Sequence, residues 1–108
     1  MMDDDVSRVL KALAHPLRRA ILERIVSLAE ARYKDFADLS GSPGTLYTYL
    51  TTLEFAGLIS KSEDIETYMW KGKYERTRKM PRYRPTKLGI LVIDFLKTFI
   101  DNIRTQGS

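Results

Sequence analysis

The stretch of residues 34–62 constrains this chain most. Residues 34–39 read as a short helix with Phe36 and Leu39 turned inward. Ser40-Gly41-Ser42-Pro43-Gly44 then forms a turn, built from residues that favour turns and helix caps. A second helix begins at Pro43 or Thr45 and runs to Ala56, with Leu46, Leu50 and Leu53 on one stripe. Gly57 ends it in the position where a left-handed glycine closes a helix. A short helix, a tight turn and a second helix make a helix-turn-helix unit.

The flanking segments supply the rest of a small domain. Val6, Val9, Leu10 and Leu13 recur at helical spacing over residues 5–14, before His15-Pro16 interrupts the pattern. Pro16 fits the first position of another helix, whose stripe is Leu17, Ala20, Ile21, Ile25 and Leu28. Tyr33 is expected in a short extended piece. After Gly57, residues 58–62 read as a strand. Residues 66–70 and 83–85 read as parts of a hairpin, with residues 71–80 as its basic tip. Gly72 and Pro81 leave its register open. Thr86 is placed to cap a long final helix ending near Arg104. The expected fold class is therefore α+β and mainly helical, with a small hairpin wing. All 108 residues form one domain, and residues 86–104 are its last helix.

Charge is unevenly spread. Residues 71–87 carry eight basic groups against one acid, Glu75, a net of +7, while the rest of the chain nets −3. A basic segment on a mildly acidic body points to a polyanionic partner. On the helix ahead of it, Thr45, Thr48, Thr51 and Thr52 face outward, flanked by Tyr47 and Tyr49. Threonine is a mediocre helix former. Its hydroxyl reaches phosphates and base edges, and its methyl can touch thymine. These residues, with Ser42 and Gly44 in the turn and Lys73, Arg76, Arg78, Lys79 and Arg82 in the basic segment, are the candidate DNA contacts. Arg76 and Arg78 lie nearest the expected tip. The helix has no Arg, Lys, Asn or Gln, the usual base readers, so modest specificity or reliance on DNA shape is expected.

In the last helix, apolar residues from Leu88 to Ile103 cover an arc of about 200°, against roughly 100° for a helix facing one core. Leu91, Phe95, Phe99 and Ile103 are expected to meet a second subunit, joined by Val6 and Val9 of the first helix. The residues mark no enzyme. Asp35, Asp38, Glu63 and Asp64 have no nucleophile or second histidine beside them. With one His and no Cys, neither a metal nor another cofactor is expected. The start of the chain is acidic, without a long apolar run, and the apolar stretch of the last helix carries Asp94, Lys97 and Asp101. No membrane association and a cytoplasmic location are expected.

Three segments resemble a known superfamily. Ala12-Leu13-Ala14-His15-Pro16-Leu17-Arg18-Arg19-Ala20-Ile21-Leu22 resembles the opening helices of ArsR-like winged-helix repressors. Gly44-Thr45-Leu46-Tyr47, with Leu50, Leu53-Glu54 and Gly57-Leu58-Ile59, resembles the recognition helix of PadR-like and MarR-like regulators. Tyr83-Arg84-Pro85-Thr86-Lys87-Leu88-Gly89 is similar to the segment that closes the wing in these families. The resemblance implies a homodimeric winged helix-turn-helix regulator of transcription, acting as a repressor on double-stranded DNA. The helix after the turn would enter the major groove, and the wing would lie on the backbone or minor groove. Two alternatives remain open: an architectural DNA-binding protein of low specificity, or a protein-interaction module within a transcription complex.

Overall fold

The computed structural model describes residues 2–39 and 42–106. Among them the chain forms four α-helices, one 3-10 turn and a two-stranded antiparallel hairpin, an α+β and mostly helical arrangement. In order these are α1 (Met2–Leu13), α2 (Pro16–Leu28), the 3-10 turn Tyr33–Phe36, α3 (Pro43–Phe55), β1 (Ile59–Trp70), β2 (Tyr74–Pro85) and α4 (Lys87–Gln106). Ser40 and Gly41 of the expected turn lie outside the described residues.

The α1–α2 corner is held by side chains that close helix ends. Pro16 occupies the first turn of α2, and His15 caps it by accepting the Leu17 N–H at Nδ1, 3.1 Å away. With Nδ1 accepting, the ring proton sits on Nε2 and faces the Tyr49 hydroxyl at 3.1 Å. The last carbonyls of α1 need donors that the helix lacks. Arg18 donates to the carbonyls of Ala12 and Lys11, and Arg19 to that of Leu13. The His-Pro-Leu-Arg-Arg run is thus a double cap. His15→Ala should lower stability by about 1–2 kcal/mol, read as a drop in Tm. His15→Asn, which keeps a capping acceptor, should recover part of the loss. Equal Tm for wild type and His15→Ala would contradict the cap.

The core is apolar and lies where α2, α3, the base of the hairpin and the start of α4 meet. Ile21, Leu22, Ile25, Phe36, Leu46, Leu50, Leu53, Leu58, Ile59, Tyr83 and Ile93 are buried there. The expected α3 stripe is the buried one. On α2, Leu28 is exposed instead, because the helix ends at Ala29 in a left-handed conformation (φ 64°) and the chain turns away. Ala31 then pairs with Tyr83 through two backbone hydrogen bonds of 2.8 Å, adding a short bridge to the outer edge of β2. Burial, then the Tyr33 hydroxyl that accepts from Tyr83, pushes the Tyr83 phenol well above its ordinary pKa, so it stays neutral.

The hairpin differs from the expected one. Its two strands pair without a break from Ile59↔Pro85 to Trp70↔Tyr74, and the turn is only Lys71-Gly72-Lys73. Lys71 (φ 55°) and Gly72 (φ 71°) both adopt positive φ, the geometry whose twist matches a hairpin. Pro81 does not interrupt β2. The Tyr83 N–H points to Ala31, away from β1, and residue 81 shares that side by alternation. The missing N–H of Pro81 therefore falls on the outer edge, and no ladder bond is lost. Residues 74–80 are strand and not tip.

Thr86 caps α4 as expected, accepting from the Gly89 N–H at 3.0 Å and donating to the Gly57 carbonyl at 2.7 Å. The start of α4 sits directly on the backbone of Leu58 at Gly89. Ile93 is buried and Leu96 half-buried against the core, while Phe95, Phe99, Ile100 and Ile103 are exposed.

Candidate nucleic-acid interface

The outward face of α3 follows from its buried stripe. With Leu46, Leu50 and Leu53 inward, Gly44, Thr45, Tyr47, Thr48 and Thr51 are exposed and Thr52 is half-buried. Ser42 caps the helix by accepting from the Thr45 N–H at 3.4 Å. The Thr48 hydroxyl donates to the Gly44 carbonyl (3.0 Å) and the Thr52 hydroxyl to the Thr48 carbonyl (2.9 Å). Their protons are used within the helix. These two residues therefore offer outward methyls and acceptor lone pairs, not donors.

Tyr49, grouped with the contacts in the sequence, belongs to the corner between α1 and α2. Its ring centroid is 4.8 Å from that of His15, and the Arg18 guanidinium lies over it at 5.7 Å. Its position beside the inward stripe, rather than a ligand, accounts for its chemistry.

The hairpin is two-faced, and the register decides which charges are spent. Its 27 residues from Ile59 to Pro85 hold eight basic and four acidic groups, because β1 brings Glu63, Asp64 and Glu66 alongside the basic strand. Arg82 contacts both Glu30 and Asp64 at 2.7 Å, and Arg84 reaches Glu30 at 3.4 Å. The hydrogen bond from Arg82, aided by the charge of Arg84, holds the Glu30 carboxyl below its usual pKa, and Arg82 is raised in turn. A lowered carboxylate stabilises the fold above its ordinary pKa, and that contribution is lost as pH falls through the lowered value. Arg78 pairs with Glu66 at 3.2 Å, and Lys79 lies 3.9 Å from Glu63. Lys71, Lys73 and Arg76 have no ion pair among the described residues.

Positive charge is thus neutralised at the base of the hairpin and concentrated at its outer end. Of the basic residues expected to contact DNA, Arg78, Lys79 and Arg82 already face acids. Arg82 serves the base of the fold, and Arg76 sits opposite Tyr68, two pairs back from the turn.

Lys61 joins the two elements. Its ammonium lies 6.0 Å from the Tyr47 ring centroid of α3 and 3.6 Å from Glu63 on its own strand. The sequence reading missed Lys61, because only the register shows that residue 61 shares the face of buried Ile59 and Tyr83. Asp35 and Asp38, which the sequence sets beside no nucleophile or second histidine, have structural partners. Asp35 accepts from the Arg32 N–H, and Asp38 pairs with Arg24 at 2.8 Å.

A second exposed surface is apolar. On α4, Leu88, Leu91, Phe95, Phe99 and Ile103 are exposed, Phe95 by 67% and Leu91 by 64%. The Phe95 and Phe99 rings stack with centroids 6.0 Å apart. Val6 and Leu10 of α1 are exposed beside Leu88, and with Val9 they line a shallow apolar groove. Val9 itself is half-buried on its own core.

Among the described residues, no helix is long and apolar enough to cross a membrane. Compared with protein-family models, with curated proteins and with solved structures, the chain finds no match.

Proposed function

We propose that this chain is a winged helix-turn-helix regulator that binds double-stranded DNA as a homodimer and represses transcription. In this reading α3 enters the major groove, and the β1–β2 hairpin is a wing on the backbone or minor groove. The observation that carries it is the exposed threonine and tyrosine face of α3 beside a hairpin whose base meets Tyr47 at Lys61. The outer end of that hairpin carries Lys71, Lys73 and Arg76, which have no ion pair among the described residues. The exposed apolar faces of α4 and α1 support the homodimer. The role is one of binding, with no catalytic step.

One observation favours a second reading, an architectural protein of low specificity. Thr48 and Thr52 donate to their own helix, which leaves α3 poor in base-directed donors.

Selection of duplexes from a random pool, followed by a salt series, tests both. Lys73→Ala or Arg76→Ala should lower the log–log salt slope by about 1 per lost phosphate contact, hence about 2 in a symmetric dimer. The loss should be equal on selected and random duplexes. Arg78→Ala and Arg82→Ala should change the slope less, since Glu66, Glu30 and Asp64 already hold them. Tyr47→Ala or Thr48→Ala should weaken binding by roughly 1–3 kcal/mol on the selected duplex and less on random DNA. Equal losses on every sequence would favour the architectural reading. A purified chain that shifts no duplex at low salt would overturn both.

A further inference from the structure

The outer half of the hairpin carries more than charge. Strand alternation puts Tyr68 and Trp70 of β1 on one face with Tyr74, Arg76 and Arg78 of β2. The Arg78 guanidinium lies over the Tyr68 ring at 5.0 Å, and that of Arg76 over the Trp70 ring at 5.3 Å. The Lys71 ammonium is 5.9 Å from the same Trp70 centroid. Trp70 and Tyr74 are direct cross-strand partners, a position in which aromatic rings ordinarily pack on one another. Here they do not. The ring–ring contacts among the described residues are His15–Tyr49, Tyr33–Tyr83 and Phe95–Phe99. Trp70 and Tyr74 stand apart instead, 43% and 60% exposed.

An isolated two-stranded ribbon gains little stability from exposing large rings. Rings that served only to hold the strands together would cover each other. What the outer end of this face presents is aromatic rings interleaved with cations, of which only Arg78 is held by an acid, Glu66, on an extended backbone remote from the core. A row of this kind matches a polyanion that also carries flat π-systems. Bases of a duplex keep their π-faces inside the stack, whereas unpaired bases expose them. An acidic protein surface would meet the cations and leave the rings unused.

We propose that this face of the hairpin binds unpaired nucleotides. Bases stack on Trp70 and Tyr74, while Lys71, Lys73 and Arg76, which have no ion pair among the described residues, meet the phosphates. Arg78 stays with Glu66 over the half-buried Tyr68. This site lies apart from the threonine face of α3 and does not require α3 to read a duplex.

Trp70 is the sole tryptophan of the chain, so its emission reports on the site directly. Titrating the full chain with a 20-nucleotide oligothymidylate should give saturable quenching. Heparin, which carries charge without bases, should give none, and a duplex of equal length should quench far less. Trp70→Leu keeps apolar bulk and removes the ring. It should weaken binding of a labelled single strand about tenfold with little change in salt slope. Trp70→Phe should stay within about threefold of wild type. Both variants should bind the selected duplex with nearly unchanged affinity, and Thr48→Ala should leave single-strand binding intact, which separates this site from the proposed duplex reading. Equal quenching by heparin would overturn the proposal. So would quenching by the duplex equal to that by the single strand, which would indicate a minor-groove wedge. Equal affinity of Trp70→Leu and Trp70→Phe would do the same.

Discussion

The double variant Phe95→Asp, Phe99→Asp should convert the proposed homodimer, of twice the 12.5 kDa chain mass, into a folded monomer. Both rings are more than half exposed on the single chain and stack on each other at 6.0 Å, so the chain's own core does not depend on them. Burying four such rings at a symmetric interface contributes about 4 kcal/mol after allowing for partial exposure, roughly a thousandfold in the dimerisation constant. The added carboxylates would have to be desolvated as well, which raises the loss. Light scattering after size exclusion reads the mass, and circular dichroism reads the fold. Lys97→Glu, on the charged side of the same helix, should leave the mass unchanged. A wild-type protein that runs as a monomer at tens of micromolar would refute the dimer. Loss of the dimer should also weaken duplex binding, because two linked half-sites become two independent ones.

Among the described glycines, Gly89→Ala meets the closest backbone contact and should destabilise the fold strongly. An added Cβ at this position would stand 2.1 Å from the Leu58 carbonyl oxygen and 3.2 Å from its carbon. That same oxygen accepts the Thr86 N–H at 3.1 Å, so it has little freedom to move away. Within a helix, Ala is ordinarily favoured over Gly by about 1 kcal/mol. The clash reverses that sign, and a net loss of about 3 kcal/mol is expected, or roughly 15 °C in Tm for a domain of this size. Gly44→Ala provides the control. Its Cβ meets nothing closer than the Ser42 hydroxyl at 3.8 Å, and Tm should hardly change. If Gly89→Ala melts like wild type, α4 does not rest on Leu58, and the seating of the last helix is wrong.

The helical part of the fold was legible because each element carries its own period and its own stops. Leu46, Leu50 and Leu53 specify the inward side of α3, and Pro16, Gly57 and Thr86 mark helix ends by chemistry acting within a few residues. The hairpin was legible only as an existence. Its outer residues contact no core, so no burial pattern marks their alternation, and Pro81 reads as a break until the pairing shows its missing N–H on the free edge. The candidate site divides along the same line. Thr45, Tyr47, Thr48 and Thr51 emerge on the exposed side of α3 as periodicity requires, whereas Tyr49 turns to His15, a residue 34 positions away.

The sequence by itself determined what local chemistry and periodicity can determine. It set the start of α2 at Pro16, the end of α3 at Gly57 and the start of α4 at Thr86, with the inward stripe of α3, the outward threonines and the excess of apolar surface on α4. It did not set the short helix, which spans Tyr33–Phe36 instead of 34–39. Tertiary structure alone decided which cations remain available. Arg76, Arg78 and Arg82 are equivalent in a linear count of charge, yet the strand register sets Arg82 between Glu30 and Asp64, Arg78 against Glu66, and Arg76 on the Trp70 ring. The physical reason is range. Caps and stripes are fixed by neighbours within one or two turns, while an ion pair or a stacked ring needs residues that only chain pairing brings together.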